Sequence, residues 1–198
     1  MPTSVADNSL VKFLARKRTT FTWLIPLCLA VATWFVGKTN WKFYAAGVVL
    51  LVLGEAVRFW AAGTISKDNT VATTGPYGFV RNPLYFGSLL LAVGYGLMCG
   101  LGWLGLVVCV VLFAVFHLAA IVCEENFLKG KFGDPYLAYL SHVPRILPRL
   151  LPYHGVGDED GSFSWRQVVY NREPITAIVT TLTAVAFGVL QYLKAAPH

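Results

Sequence analysis

The sequence predicts an all-α integral membrane protein, a bundle of five transmembrane helices, on three observations. Of its 198 residues, 56% are hydrophobic and only 13% are charged, against about 25% charged in a soluble domain. Uncharged apolar runs recur at lengths near the roughly 20 residues that a helical crossing needs. The basic residues that make the net charge +6 fall mostly between those runs, as charges that set membrane topology do.

The elements follow in chain order. Residues 1–18 form a short, partly helical arm containing "KFLARKR". No formal charge occurs between Arg18 and Lys38, which puts the first crossing at about 19–37. Its basic start and the "AVA" at 30–32 resemble a cleaved signal peptide, but the apolar run is longer than such a segment's core. A retained helix is expected. "GKTN" turns the chain into a second crossing at about 43–62, interrupted by Glu55 and Arg58. From Asn82 to Cys123 only His117 can carry charge, and as one helix this run would be about 63 Å long. It must fold back, at "CGLG", giving crossings at about 83–100 and 102–123. Residues 124–173 form a charged segment, helical to about Ser141, that includes the acidic loop "GVGDEDG". A fifth crossing at about 174–193 completes a single membrane domain, 1–198, without internal repeats.

The basic residues orient the bundle. Lys129, Lys131, Arg145, Arg149, Arg166 and Arg172 lie between the fourth and fifth crossings, on the same side as Arg58, Lys67 and Arg81. Only Lys38, Lys42 and Lys194 remain for the other side. The positive-inside rule then makes the N-terminus and the segment 124–173 cytoplasmic, with a bacterial inner membrane the expected location. The positive charge reads as topology and contact with anionic membrane lipids, not nucleic-acid binding. Trp165 and Tyr170 suit an interfacial belt. Cys28, Cys99, Cys109 and Cys123 show no paired spacing, so packing is expected of them and neither a disulfide nor a metal site.

Several polar residues stand out against this background. Glu55 and Arg58, three apart, share a helix face; they either pair with each other or line a polar pocket open to the cytoplasm. His117 and Glu124, seven apart, point to nearly one side and into one cavity, unless His117 is a satisfied structural group. Glu124 and Glu125 stand where the fourth crossing ends, a place the helix macrodipole makes unfavourable for carboxylates. A cationic offset is expected there. In "TTGPYGFVRNPLYFG", residues 73–87, Pro76 and Pro83 pin the backbone. Asn82 is placed to cap the third crossing with Pro83 in its first turn. The free N–H groups at that start, with Arg81 beside them, make an anion site. Crossings three and four are hairpin partners, so this anion site and the two glutamates meet. A small zwitterion fits between them. "GYGLMCG" at 94–100 mimics a cofactor loop but lies inside a crossing, where close helix packing explains it.

"GPYGFVRNPLYFG" followed by "EENFLKGKFGDPYLAYLSHVPRILP" resembles the isoprenylcysteine carboxyl methyltransferase family, grouped with the phospholipid methyltransferases of membranes. The pieces occur in family order over residues 75–148. The resemblance implies S-adenosyl-L-methionine as cofactor, in a cytoplasm-facing pocket, and a lipophilic or lipidated acceptor; it implies no metal. Carried over by motif, Tyr77, Val80, Arg81, Asn82, Pro83 and Tyr85 form the first part of the cofactor site. Glu124, Glu125, Leu128, Tyr136 and Tyr139 form the second, and His117 is placed with them. Arg145 is the expected orienting group for an anionic acceptor, with Glu125 and Glu55 as further catalytic candidates. The chain departs from the family in having Asn82 where many members have histidine, and in its fifth crossing after a polar insert. Arg172 and Glu173 in that insert match no motif, though "NREP" can bring them to the pocket mouth. Three alternatives are carried: phospholipid amine methylation, an NADPH-dependent sterol-type reductase, and a non-catalytic membrane subunit.

Overall fold

In the computed structural model, residues 9–64, 71–154 and 162–195 are described, apart from the side chains of residues 17–23. Lys67, the acidic loop 155–161 and the first eight residues of the arm lie outside the described residues. Every regular element described is helical. These are α1 (Ser9–Val36), α2 (Trp41–Thr64), a 3₁₀ turn (Gly75–Gly78), α3 (Pro83–Met98), α4 (Trp103–Phe132), α5 (Asp134–His142), α6 (Trp165–Tyr170) and α7 (Glu173–Ala195). Helices α2, α4 and α7 are long and apolar enough to cross a membrane. The apolar part described in α1, Leu24–Val36, and the 16-residue α3 are shorter. Outward-facing Ile175, Ile178, Leu182, Val185 and Val189 form an exposed stripe on α7, a face suited to lipid.

Helices α2 and α3 pack through glycine. A Cβ on Gly94 would sit 2.9 Å from the Gly47 carbonyl oxygen, and one on Gly54 would sit 2.9 Å from that of Gly87. The glycine run at 94–100 is therefore a packing surface, as expected of small residues between membrane helices. The fold-back falls in 99–102, where Gly100 and Gly102 take φ 68° and 61°. Leu51, Leu91, Met98, Cys99, Cys109 and Phe187 meet in the core. Cys99 and Cys109 thus pack as expected, whereas Cys28 is exposed.

Helix α4 departs from expectation. It continues without a break past Cys123 to Phe132, about 45 Å, and stops at Gly133 with φ 60°. Glu124 and Glu125 therefore lie inside the helix, and its last turn carries Lys129 and Lys131. The macrodipole argument does not apply to them; two arginines meet Glu125, whereas Glu124 receives a tyrosine hydroxyl, as described below.

Helix α7 is fastened by polar contacts. Gln191 donates to the Met98 carbonyl at 2.8 Å and accepts from Asn40 N at 3.1 Å. Lys194 Nζ donates to the carbonyls of Thr33 at 2.9 Å and Gly37 at 2.6 Å, satisfying the end of α1. Without a hydrophobic driving force between helices in lipid, such bonds and close packing hold a membrane helix in place.

Candidate functional site

The charged end of the bundle is assembled by a non-helical return. After α5 the chain runs back along the segment that leads into α3. Arg81 N donates to the Pro144 carbonyl at 2.9 Å, Arg149 N to that of Phe79 at 3.0 Å, and Tyr153 N to that of Gly78 at 2.9 Å. The Tyr139 hydroxyl donates to the Tyr77 carbonyl at 2.7 Å. Tyr136, Tyr139 and Val143 are buried together, with Leu128 against them. Burial, and next the negative charge of Glu125, push the Tyr136 phenol up to about 12. Burial likewise raises Tyr77 above the ordinary phenol range. These two stay neutral at physiological pH.

The return brings three distant motifs onto one carboxylate. Glu125, only 2% exposed, accepts from Arg145 Nε at 3.1 Å and Nη2 at 2.7 Å. Its Oε1 lies 3.7 Å from Arg81 Nε and 3.4 Å from Asn82 Nδ2. Hydrogen bonding to Glu125 raises the Arg145 pKa further, so the fork stays charged. Asn82 occupies the cap position of α3 but makes no side-chain capping bond. Its amide instead donates to the Arg145 carbonyl at 3.0 Å, tying the α3 start to the return segment. Arg81 Nε is buried and has no hydrogen-bond acceptor among the described residues.

Glu124, one residue earlier, projects elsewhere. Its Oε2 accepts the Tyr85 hydroxyl at 3.0 Å. Glu124, Tyr85 and His117 all line a cavity of about 680 Å³ between α1, α3, α4 and α7, within the size range of ligand pockets. His117 stacks on Phe113 and places Nδ1 3.2 Å from its carbonyl. Arg58, Asn171, Arg172 and Glu173 line the same cavity, so residues of "NREP" border it. Val80 and Pro83 instead border a separate space of about 200 Å³ with Trp60.

The Glu55–Arg58 pairing is corrected. Arg58 binds Glu173 of α7 through Nη2 at 2.8 and 3.0 Å and Nε at 3.1 Å, and also donates to Ser88 Oγ at 2.6 Å. Glu55 accepts from Thr180 at 2.6 Å and does not line the cavity. A face shared along one helix brought the two near each other, but a fork-to-carboxylate geometry across helices is the better match for arginine. Nothing local in the sequence could name Glu173 as the partner, 115 residues away.

A sequence model of the phospholipid methyltransferase family matches residues 27–135. The chain belongs to that family. It is 33% identical over 161 residues to the cobalt-zinc-cadmium resistance protein CzcN of Cupriavidus metallidurans, covering 75% of this chain and 72% of that one. It is 31% identical over 109 residues to protein-S-isoprenylcysteine O-methyltransferase of Schizosaccharomyces pombe, 55% of this chain and 45% of that enzyme. Identity with protein-S-isoprenylcysteine O-methyltransferase B of Arabidopsis thaliana is 29% over 133 residues, 61% of this chain and 67% of the other. No solved structure matches. The family is one of membrane methyltransferases; α7 lies beyond the matched span, whereas its partner Arg58 lies within it. Among the described residues no cluster of three or more His, Cys, Asp or Glu side chains is placed to hold a metal ion.

Proposed function

We propose that the protein transfers a methyl group from S-adenosyl-L-methionine to a lipophilic acceptor in the membrane, most like carboxyl O-methylation of an isoprenylcysteine. The observation that carries this reading is the junction of Arg81, Asn82, Glu125 and Arg145 beside a cavity whose wall presents Glu124. The donor set suits the cofactor's chemistry. The buried Arg81 Nε–H that lacks an acceptor suits a carboxylate, and Glu124, facing the cavity, suits an ammonium or hydroxyl groups. When bound, the cofactor supplies an electrophilic methyl group on a sulfonium sulfur.

The chain's own residues do the rest. Arg145 and Asn82 fix Glu125, and through it the orientation of Arg81, so that the binding groups need no reorganisation. Held geometry of this kind is worth up to about 7–11 kcal/mol of a bimolecular barrier. The apolar cavity wall removes water from the acceptor, which strengthens charge interactions inside it. A carboxylate acceptor needs no base. Phosphatidylethanolamine-type amine methylation is the second reading, favoured by His117 and Glu124, two proton acceptors on the cavity wall.

The test is methylation with labelled cofactor of prenylcysteine, phospholipid and thiol acceptors, joined to thermal titrations with S-adenosylhomocysteine and NADPH. Stabilisation by S-adenosylhomocysteine at a hundredfold excess over Kd should reach about 2.7 kcal/mol. A response to NADPH alone would turn the reading to a reductase, and a response to neither would turn it to a non-catalytic subunit.

A further inference from the structure

Arg172 lines the large cavity and is exposed, with φ 61°, the one non-glycine residue of positive φ among the described residues. A side chain is disfavoured in that conformation, which persists where the surroundings over-determine it. They do so on both sides. Asn171 Nδ2 donates to the Ala62 carbonyl at 2.9 Å, and Glu173 is locked to Arg58. The backbone of Arg172 itself donates to Val169 and accepts from Ile175. The backbone that carries this long cation beside the cavity is thereby fixed, and its guanidinium makes no hydrogen bond or ion pair with the described residues.

The remaining charges of the cavity wall leave a simple balance. Arg58 and Glu173 neutralise each other. Glu124 receives the Tyr85 hydroxyl but pairs with no cation among the described residues. One negative and one positive group, Glu124 and Arg172, therefore border the space without a counter-charge. Beyond them the walls are mainly apolar, with Leu27 and Ala30 on α1, Leu91 and Ala92 on α3, and Val179 and Ala186 on α7, interrupted by the hydroxyls of Ser88, Thr176, Thr180 and Thr183. Lining residues on α7 extend from Glu173 to Ala186, about 20 Å at the helical rise. Further along α7, Lys194 ties the helix to the end of α1.

We propose that Arg172 binds the anionic head of the methyl acceptor, whose apolar chain lies in the slot between α1 and α7. The proposal rests on the methyltransferase reading and adds a specificity residue outside the family-matched span. It gives the two uncompensated charges separate tasks, Glu124 toward the cationic cofactor and Arg172 toward the acceptor. Arg145 does not line the cavity and serves to hold Glu125.

The experiment uses the full chain in micelles with four probes: S-adenosylhomocysteine, N-acetyl-S-farnesylcysteine, the carboxamide of the latter and dioleoylphosphatidylglycerol. In the wild type the carboxylate binds more tightly than the carboxamide by calorimetry. Arg172→Gln removes that preference and raises the acceptor KM about ten- to a hundredfold, the value of a charge-assisted hydrogen bond. Its kcat and its stabilisation by S-adenosylhomocysteine stay as in the wild type. Arg172→Gly, which relieves the backbone constraint, gives the same binding loss without a lower melting temperature. Stabilisation of the wild type by S-adenosylhomocysteine together with an undiminished carboxylate preference in Arg172→Gln overturns the Arg172 assignment alone. No response of the wild type to S-adenosylhomocysteine and no carboxylate preference overturns both readings. A variant that loses only affinity for dioleoylphosphatidylglycerol, with acceptor KM intact, assigns Arg172 to bulk anionic lipid and overturns the proposal.

Discussion

Glu125 and Glu124 are neighbours in sequence with different surroundings, because successive residues on a helix point about 100° apart. Glu125 is buried against two guanidinium groups and an amide, so Glu125→Gln leaves Arg81 and Arg145 without their counter-charge. Half of the Arg145 side chain is exposed, which limits the penalty; a loss of about 1–3 kcal/mol is expected in detergent unfolding. Arg145→Lys should not rescue Arg145→Ala in turnover, since a point charge cannot reproduce the two-bond fork on Glu125. The neutral phenol of Tyr136 gives a pH test. Its folded pKa of about 12 exceeds the unfolded value near 10, so the folded state holds the extra proton in between. Stability should be flat below pH 10 and decline as pH rises toward 12, read as melting temperature. The motif resemblance placed Arg81, Asn82 and Glu125 with the cofactor and Arg145 with the acceptor. Their ion pairs could not be read from it, since each partner's direction depends on how the return segment packs.

At the scale of helices, the α2–α3 contact depends on backbone approach rather than on side-chain bulk. Gly94→Leu inserts a side chain where a Cβ already meets the Gly47 carbonyl, and should cost about 1–3 kcal/mol or more, measured by unfolding in detergent. Gln191→Leu removes two bonds that fix the end of α7 and should cost about 0.6–1.7 kcal/mol, the range for polar contacts in membranes. Apolar run lengths located α2, α4 and α7, because burying backbone in lipid imposes a minimum length. They did not locate the true end of α4. Hydropathy falls at Glu124, but helical backbone bonding continues while polar side chains find partners, and only Gly133 breaks it.

For the whole molecule, the distribution of basic residues predicts sidedness that labelling can check. In a cysteine-free background, single cysteines at Lys38 and at Gly130 should react from opposite faces of a sealed vesicle. Reaction from one face would remove the odd number of crossings placed between them. By itself the sequence determined the helical membrane class, the fold-back at 99–102 and the residues of the charged junction, because apolar length, glycine and proline act locally and leave a linear trace. Only the tertiary structure decided that Glu173 pairs with Arg58, that Glu124 and Glu125 face different spaces, and that α1 and α7 enclose a slot. Those outcomes depend on which helices lie side by side, and the energy of a buried charge is set by neighbours that the order of residues does not name.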